Sequence, residues 1–249
     1  MLTMVTLTVS ESKRLIAKGV RAIPYVDRAL EEGTVAVPKG STNAYVAEEL
    51  LGKRFDKTHY VLGATFPKRG KPFSIDGSLP DVVIRKGQVV EGLTAVAAAK
   101  EMTAGDVFCK GANAINPALN QAGLLVGHPE GGTLGATLGI LTARRVHLLI
   151  PAGLEKTVPI DLELIAQRLK LEPCRGEIYG LWPFIGHIFT EADALKELTG
   201  VIAVPVAAGG IGGAEGAVRL LLSGSEEQLD DTIAILDNVW GEPAFGNDE

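Results

Sequence analysis

Thr34-Val35-Ala36-Val37-Pro38-Lys39-Gly40-Ser41-Thr42-Asn43-Ala44 is the stretch that decides the fold. It opens as a short β-branched run, passes through a polar loop containing one glycine, and continues from Ala44 to Leu51 with helix-forming residues closed by Gly52. A strand that feeds through a glycine loop into a helix is the repeating unit of α/β folds. Upstream, Leu15, Ile16, Val20, Ile23, Val26 and Leu30 recur at helical spacing, with Ser10 placed as N-cap and Gly33 just past the end. This predicts one long helix over 11–32, kinked at Pro24. Residues 1–10 form a mobile or strand-like lead-in.

Downstream the rhythm recurs. Val82-Val83-Ile84-Arg85 and Gln88-Val89-Val90 flank Lys86-Gly87, a two-residue hairpin turn. A helix is predicted over 95–102, strands over 106–110 and 124–126, a helix over 134–145, a strand over 146–150 with His147 buried in it, and a helix over 159–169. Alternation at this spacing predicts an α/β domain over residues 1–170, with a mostly parallel sheet and helices on both faces. Beyond 170 the pattern loosens through Pro173, Gly176, Gly180, Pro183 and Gly186, and Trp182 and Phe184 read as core. A helix over 191–198, strands over 201–207 and 217–222, and a last helix started by the Ser225/Gln228 capping pattern make 171–249 a small α+β C-terminal portion. It completes the same domain or is appended to it. The tail over 243–249 is expected to fray.

Composition narrows the function classes. The 249 residues carry 24 Lys plus Arg against 30 Asp plus Glu, a formal net charge of −6, and no basic tract, which disfavours nucleic acid as partner. The longest nonpolar stretch, 201–214, has 14 residues and includes Pro205 and four glycines, short of the roughly 20 a bilayer span needs, so no membrane partner is expected. No basic segment followed by an apolar one marks a signal peptide. Cys109 and Cys174 stand far apart and without ligand spacing, so the expected compartment is a reducing cytoplasm. The histidines His59, His128, His147 and His187 are too scattered for a metal motif, and no metal is predicted. No cofactor is predicted either. A Walker A pattern is absent, and in Gly209-Gly210-Ile211-Gly212-Gly213-Ala214-Glu215-Gly216 a glutamate falls where a dinucleotide motif needs its third glycine. That segment reads as a connector or a second anion loop. Homo-oligomerisation follows only from its frequency among enzymes.

In open α/β sheets, ligands settle beyond the carboxyl ends of strands, where loops and helix N-termini present free amides. Three loops qualify. Lys39-Gly40-Ser41-Thr42-Asn43 offers a tight turn, hydroxyls and a helix start to a phosphate or carboxylate, although an ordinary N-cap explains the same residues. Lys110 and Asn113 follow the strand through Phe108. Gly127-His128-Pro129-Glu130-Gly131-Gly132 places a titratable imidazole and a carboxylate beside two glycines before a helix, so His128 and Glu130 are candidate proton carriers and Gly131 and Gly132 candidate anion contacts. Lys156 would supply a point charge, or an amine if desolvated. Each also fits a solvated loop residue.

The order of long helix, Glu31-Glu32-Gly33, short strand and Gly40-Ser41-Thr42 resembles the opening of ribose-5-phosphate isomerases, whose Gly-Thr-Gly-Ser-Thr loop binds phosphate. The middle is similar to the lactate-utilisation domains and initiation-factor-2B-like proteins of the same superfamily. The matching stretches are Asp106-Val107-Phe108-Cys109-Lys110-Gly111-Ala112-Asn113-Ala114-Ile115, Gly123-Leu124-Leu125-Val126 and Leu149-Ile150-Pro151-Ala152-Gly153-Leu154-Glu155-Lys156. The superfamily also includes CoA transferases and glucosamine-6-phosphate deaminases. A lysine commonly follows such a strand in it, and Lys156 takes that place. The resemblance spans residues 11–170 and implies an isomerase- or CoA-transferase-like fold acting on a small anionic metabolite, either a phosphorylated sugar or an acyl-CoA. The isomerases' Asp-Gly-Ala-Asp-Glu segment has no counterpart, since Asp76-Gly77 lacks the remaining residues; Glu130 and Glu215 match a transferase glutamate by loop context alone. A noncatalytic metabolite-binding or regulatory module on the same scaffold is the alternative.

Overall fold

The structure is a computed structural model describing residues 1–71 and 73–247. Its first half runs β1 (Leu2–Leu7), α1 (Val9–Ala22), α2 (Pro24–Glu32), β2 (Thr34–Val37), α3 (Ser41–Leu51), β3 (Val82–Arg85), β4 (Gln88–Val89), α4 (Ala95–Ala99), β5 (Val107–Cys109), β6 (Ala114–Asn116) and β7 (Gln121–Val126). The second half runs α5 (Gly132–Ala143), β8 (His147–Pro151), α6 (Leu162–Leu171), β9 (Gly180–Phe184), β10 (His187–Phe189), α7 (Glu191–Thr199), β11 (Ile202–Ala208), β12 (Val218–Ser223) and α8 (Glu226–Asp237).

Strand alternation divides the interior into two cores around a six-stranded sheet ordered β10-β8-β5-β2-β3-β4. Val35, Val37, Val107, Cys109 and Leu149 point to one side, where they meet α1, α2, α3, α7 and α8. Ala36, Phe108, Leu148 and Ile150 point to the other, against α4 and α5. The period of two in these short strands is what places helices on both faces.

The fold is α/β, and the expectation of a mostly parallel sheet needs correction. Parallel strand pairs run through β10-β8-β5-β2, and one isolated parallel bridge joins Ile115 to Thr157. β3 returns antiparallel to β2, and the Lys86-Gly87 turn reverses the chain again into β4. Both turn residues have positive φ, 48° and 76°, which suits the tight hairpin read from sequence. β1-β12-β11 and β6-β7-β9 are separate antiparallel sheets. The chain beyond 170 therefore contributes β10 to the central sheet and pairs β12 with the N-terminal β1.

The predicted long helix is two helices. Ile23, which precedes Pro24, is extended (ψ 123°), and Pro24 opens α2, because the proline ring disfavours a helical residue before it. The cap of α1 is Thr8, two residues before the predicted Ser10: Thr8 N–H donates to Glu11 Oε2 at 2.7 Å and Thr8 Oγ1 accepts from Glu11 N–H. At Gly19 any side chain would put its Cβ 2.5 Å from that of Ala194, so glycine sets the closeness of α1 to α7. His147, predicted buried, is exposed at the start of β8 and stacks on Tyr25, with ring centroids 4.6 Å apart. The 209–216 segment is the loop of the β11-β12 hairpin, with Glu215 accepting from Gly213 N–H. Glu242, just before the tail, bonds Arg14 and Arg54, and within the tail Phe245 packs against Tyr45; Asp248 and Glu249 lie outside the described residues. Among the described residues no helix is long and apolar enough to cross a membrane.

Candidate functional site

β2, β5, β8 and β10 run parallel, so the segments following them leave the sheet at one rim. That rim receives Pro38 to Asn43 from β2, Lys110 from β5, Ala152 to Lys156 from β8 and Glu191 from β10. The first turn of α3 sits among them. Its N-cap, Gly40, supplies no side-chain bond and no acidic residue lies in the first turn, which leaves the leading amides and the positive end of the helix dipole to an outside acceptor.

Hydrogen bonds tie these segments together. Asn43 Nδ2 donates to the carbonyls of Pro38 (2.8 Å) and Cys109 (3.4 Å), joining the ends of β2 and β5. Lys110 N–H donates to Leu149 O, joining β5 to β8. Lys156 Nζ lies 3.4 Å from Thr42 Oγ1, bringing the loop after β8 onto α3. Leu154 N–H donates to both carboxylate oxygens of Glu191, at 2.9 and 3.2 Å. At this rim two buried side-chain atoms are left without a partner among the described residues, Asn43 Oδ1 and Glu155 Oε2.

The charges form one cluster. Lys13, which α1 delivers from beneath, is buried, and burial followed by repulsion from Lys156 pushes its pKa down to about 8. Lys110 is also lowered to about 8, by burial and then by Lys156. Burial lowers the Lys156 pKa too, with Glu155 and Glu191 opposing that shift. Glu191 moves the other way, up to about 7, because burial and the neighbouring Glu155 disfavour its anion. None of the three lysines has a carboxylate at ion-pair distance among the described residues. Three lysines against two glutamates give a local formal charge of 3 − 2 = +1 in a chain of net charge −6. When Glu191 is protonated the local charge becomes +2. An unpaired buried cation is costly, and an entering anion removes that cost.

The structure brings together part of the sequence-predicted set. Gly40, Ser41, Thr42, Asn43, Lys110 and Lys156 meet at the rim. Lys39 points its ammonium at Gly77 O (2.6 Å) instead. Asn113 belongs to the β6-β7 hairpin: its N–H donates to Gly123 O, and its Oδ1 accepts from Leu125 N–H. His128, Glu130, Gly131 and Gly132 follow β7, which lies in a different, antiparallel sheet. His128 and Glu130 are exposed, with His128 Nδ1 accepting from Glu130 N–H, and make no hydrogen bond or ion pair with the lysine cluster among the described residues. Gly131 packs so close to Trp182 that a Cβ would lie 2.8 Å from its ring. Among the described residues no group of His, Cys, Asp and Glu is arranged to hold a metal.

Lys13 and Glu191 are not legible as site residues in the sequence. Lys13 is in a helix with no glycine loop beside it, and Glu191 reads as an ordinary first-turn acid of α7. One signal is available: Ser10, Glu11, Ser12, Lys13 and Arg14 are consecutive polar residues at the start of a helix, and all five are buried. An end that is polar all round and yet buried must serve polar partners.

Fold and cluster define an α/β protein with an unneutralised cationic site at the carboxyl rim of its parallel strands. No family model matches the chain, and no curated protein is significantly similar to it.

Proposed function

We propose that this protein binds a small anionic metabolite at the rim formed by Gly40 to Asn43, Lys110 and Lys156, and acts on it as an enzyme. The observation that carries the reading is the convergence of three lysines, none in an ion pair among the described residues, on an uncapped helix start. Lys156 and the leading amides of α3 hold the phosphate or carboxylate, the Thr42 hydroxyl donates a further bond, and Glu191 holds a proton near neutral pH. Glu130 and His128 take no part. A phosphorylated sugar or an acyl-CoA fits the charge, in keeping with the resemblance to the ribose-5-phosphate isomerase and CoA-transferase superfamily.

The test is calorimetric titration of the full chain with inorganic phosphate, ribose 5-phosphate and acetyl-CoA at low ionic strength, repeated on Lys156→Met. Loss of one charge-assisted bond, about 1.5–3 kcal/mol, predicts affinity for the anion roughly 10- to 150-fold weaker. Unchanged affinity in a folded variant, or no binding of any of the three by the native chain, refutes the assignment. Binding without turnover of the two metabolites, unaltered by Glu191→Gln, would place the chain among noncatalytic modules instead.

A further inference from the structure

We infer that Lys110 is a carbonyl-trapping amine, so that the anionic substrates of this site are aldehydes or ketones that form an imine with it. The inference rests on the anion-binding reading above and narrows it to a substrate class.

Lys110 is the first residue past β5, which lies between β8 and β2 in the middle of the parallel strands. Its backbone is fixed by the bond to Leu149 O, and Asn43 holds the carbonyl of the preceding Cys109. Among the described residues its ammonium has a single protein acceptor, the carbonyl of Gly111 at 3.4 Å. The three lysines are not equivalent. Lys156 Nζ lies 3.4 Å from Thr42 Oγ1 at the start of α3, so it is the lysine placed to hold the anion. Lys13 Nζ lies 5.4 Å from the centroid of the Phe245 ring, whose face favours the charged form. Lys110 alone feels only burial and the charge of Lys156, both of which favour the neutral amine. A desolvated amine beside a second cation is the arrangement that makes a lysine nucleophilic near neutral pH. An anion seated on Lys156 and α3 would present its carbonyl to that amine.

The chemistry balances without a further reactant. The Lys110 Nζ lone pair attacks the carbonyl carbon and the C=O π pair moves to oxygen. The proton released from nitrogen is taken up by that oxygen, giving a carbinolamine. The hydroxyl then leaves with a second nitrogen-borne proton as water, and a C=N bond remains.

The test uses glyoxylate, a small anionic aldehyde, with cyanoborohydride on the full chain at pH 7.5, followed by peptide mapping. A pKa near 8 leaves roughly a quarter of Lys110 neutral at that pH, against about a thousandth of an ordinary lysine. Allowing for its weaker basicity, reductive labelling at Lys110 is expected at least about tenfold faster than at any other lysine. Labelling should be slowed by inorganic phosphate, retained in Lys13→Met and lost in Lys110→Arg. Labelling spread over exposed lysines, or concentrated on Lys13, overturns the inference, and the native distribution decides this whether or not a variant folds. If phosphate binds by calorimetry while Lys110 stays unlabelled, the imine fails and the anion site stands. If neither is seen, both fail.

Discussion

Replacing Glu191 by Gln separates a carboxyl built into the site from one that merely packs there. Burial and Glu155 raise the Glu191 pKa from 4.5 to about 7, a difference of about 2.5 units. At 1.36 kcal/mol per unit, the ionised side chain costs the folded state up to roughly 3 kcal/mol relative to the unfolded chain. The sign follows from proton binding: between pH 4.5 and 7 the folded state holds more protons, so this group's contribution is fully present below about 4.5 and is lost as pH rises through 7. A glutamine side chain at this position cannot ionise, yet its amide oxygen can still accept from Leu154 N–H as the carboxylate does. Glu191→Gln should therefore raise stability at pH 8 by about 1–3 kcal/mol, or some 2–10 °C in Tm for a chain of this size, and leave it nearly unchanged at pH 4.5.

The lysines have the opposite dependence. With Lys13 and Lys110 lowered to about 8, the unfolded chain binds more protons between 8 and 10.5, so stability rises with pH across that window. The unliganded protein should have a local stability minimum between pH 7 and 8. Thermal unfolding in phosphate-free, low-salt buffers from pH 4.5 to 10 checks both limbs. Destabilisation by Glu191→Gln at pH 8 would mean that the surrounding lysines hold Glu191 as a stable anion, and an equal gain at pH 4.5 and pH 8 would mean that the gain does not come from ionisation; either would refute the reasoning.

Two further perturbations probe the same rim. Gly153 has φ −71°, which any residue tolerates, but a Cβ there would overlap Glu155 Oε2, so Gly153→Ala must swing that carboxylate aside. With one competing negative charge displaced, phosphate should bind roughly two- to fivefold more tightly by calorimetry; weaker binding would show that Glu155 positions a lysine. The thiols should differ sharply: Cys109 is fully buried with its pKa pushed up to about 12, whereas Cys174 is exposed. An aromatic disulfide reagent should titrate one thiol per native chain, and the second only in denaturant.

Local signals announce the elements and leave their partners open. The β-branched run at 34–37, the Lys86-Gly87 turn and the Ser225/Gln228 capping box each act within a few residues, and each appears where the sequence places it. Parallel against antiparallel pairing depends on residues far apart along the chain, so the three sheets cannot be read from periodicity. For the same reason the glycine loop at 127–132 is as persuasive in sequence as the one at 39–43. Both are polar, both precede a helix, and only the strand before each decides which rim it reaches. Lys156 and Lys110 are legible because they follow strands of the parallel set, and Lys13 is not because it arrives from a helix.

How α1 delivers Lys13 follows from its neighbour in sequence. Adjacent helical residues point about 100° apart, so fixing Arg14 fixes Lys13. Arg14 is almost fully buried and bonds Glu48 and Glu49 of α3 as well as Glu242 beyond α8, with its guanidinium 4.9 Å from the Tyr45 ring centroid. Glu48 in turn accepts from Phe55 N–H and pairs with Lys57. These bonds set the rotation of α1 against α3, the helix whose first turn forms the anion end of the site. A buried ion network of this kind adds little net stability over apolar packing, while loss of one member leaves charges stranded. Its value here is geometric: it fixes the turn of α1 that carries Lys13, and through Glu242 it makes the segment after α8 a structural support of a site whose first loop lies about two hundred residues earlier in the sequence.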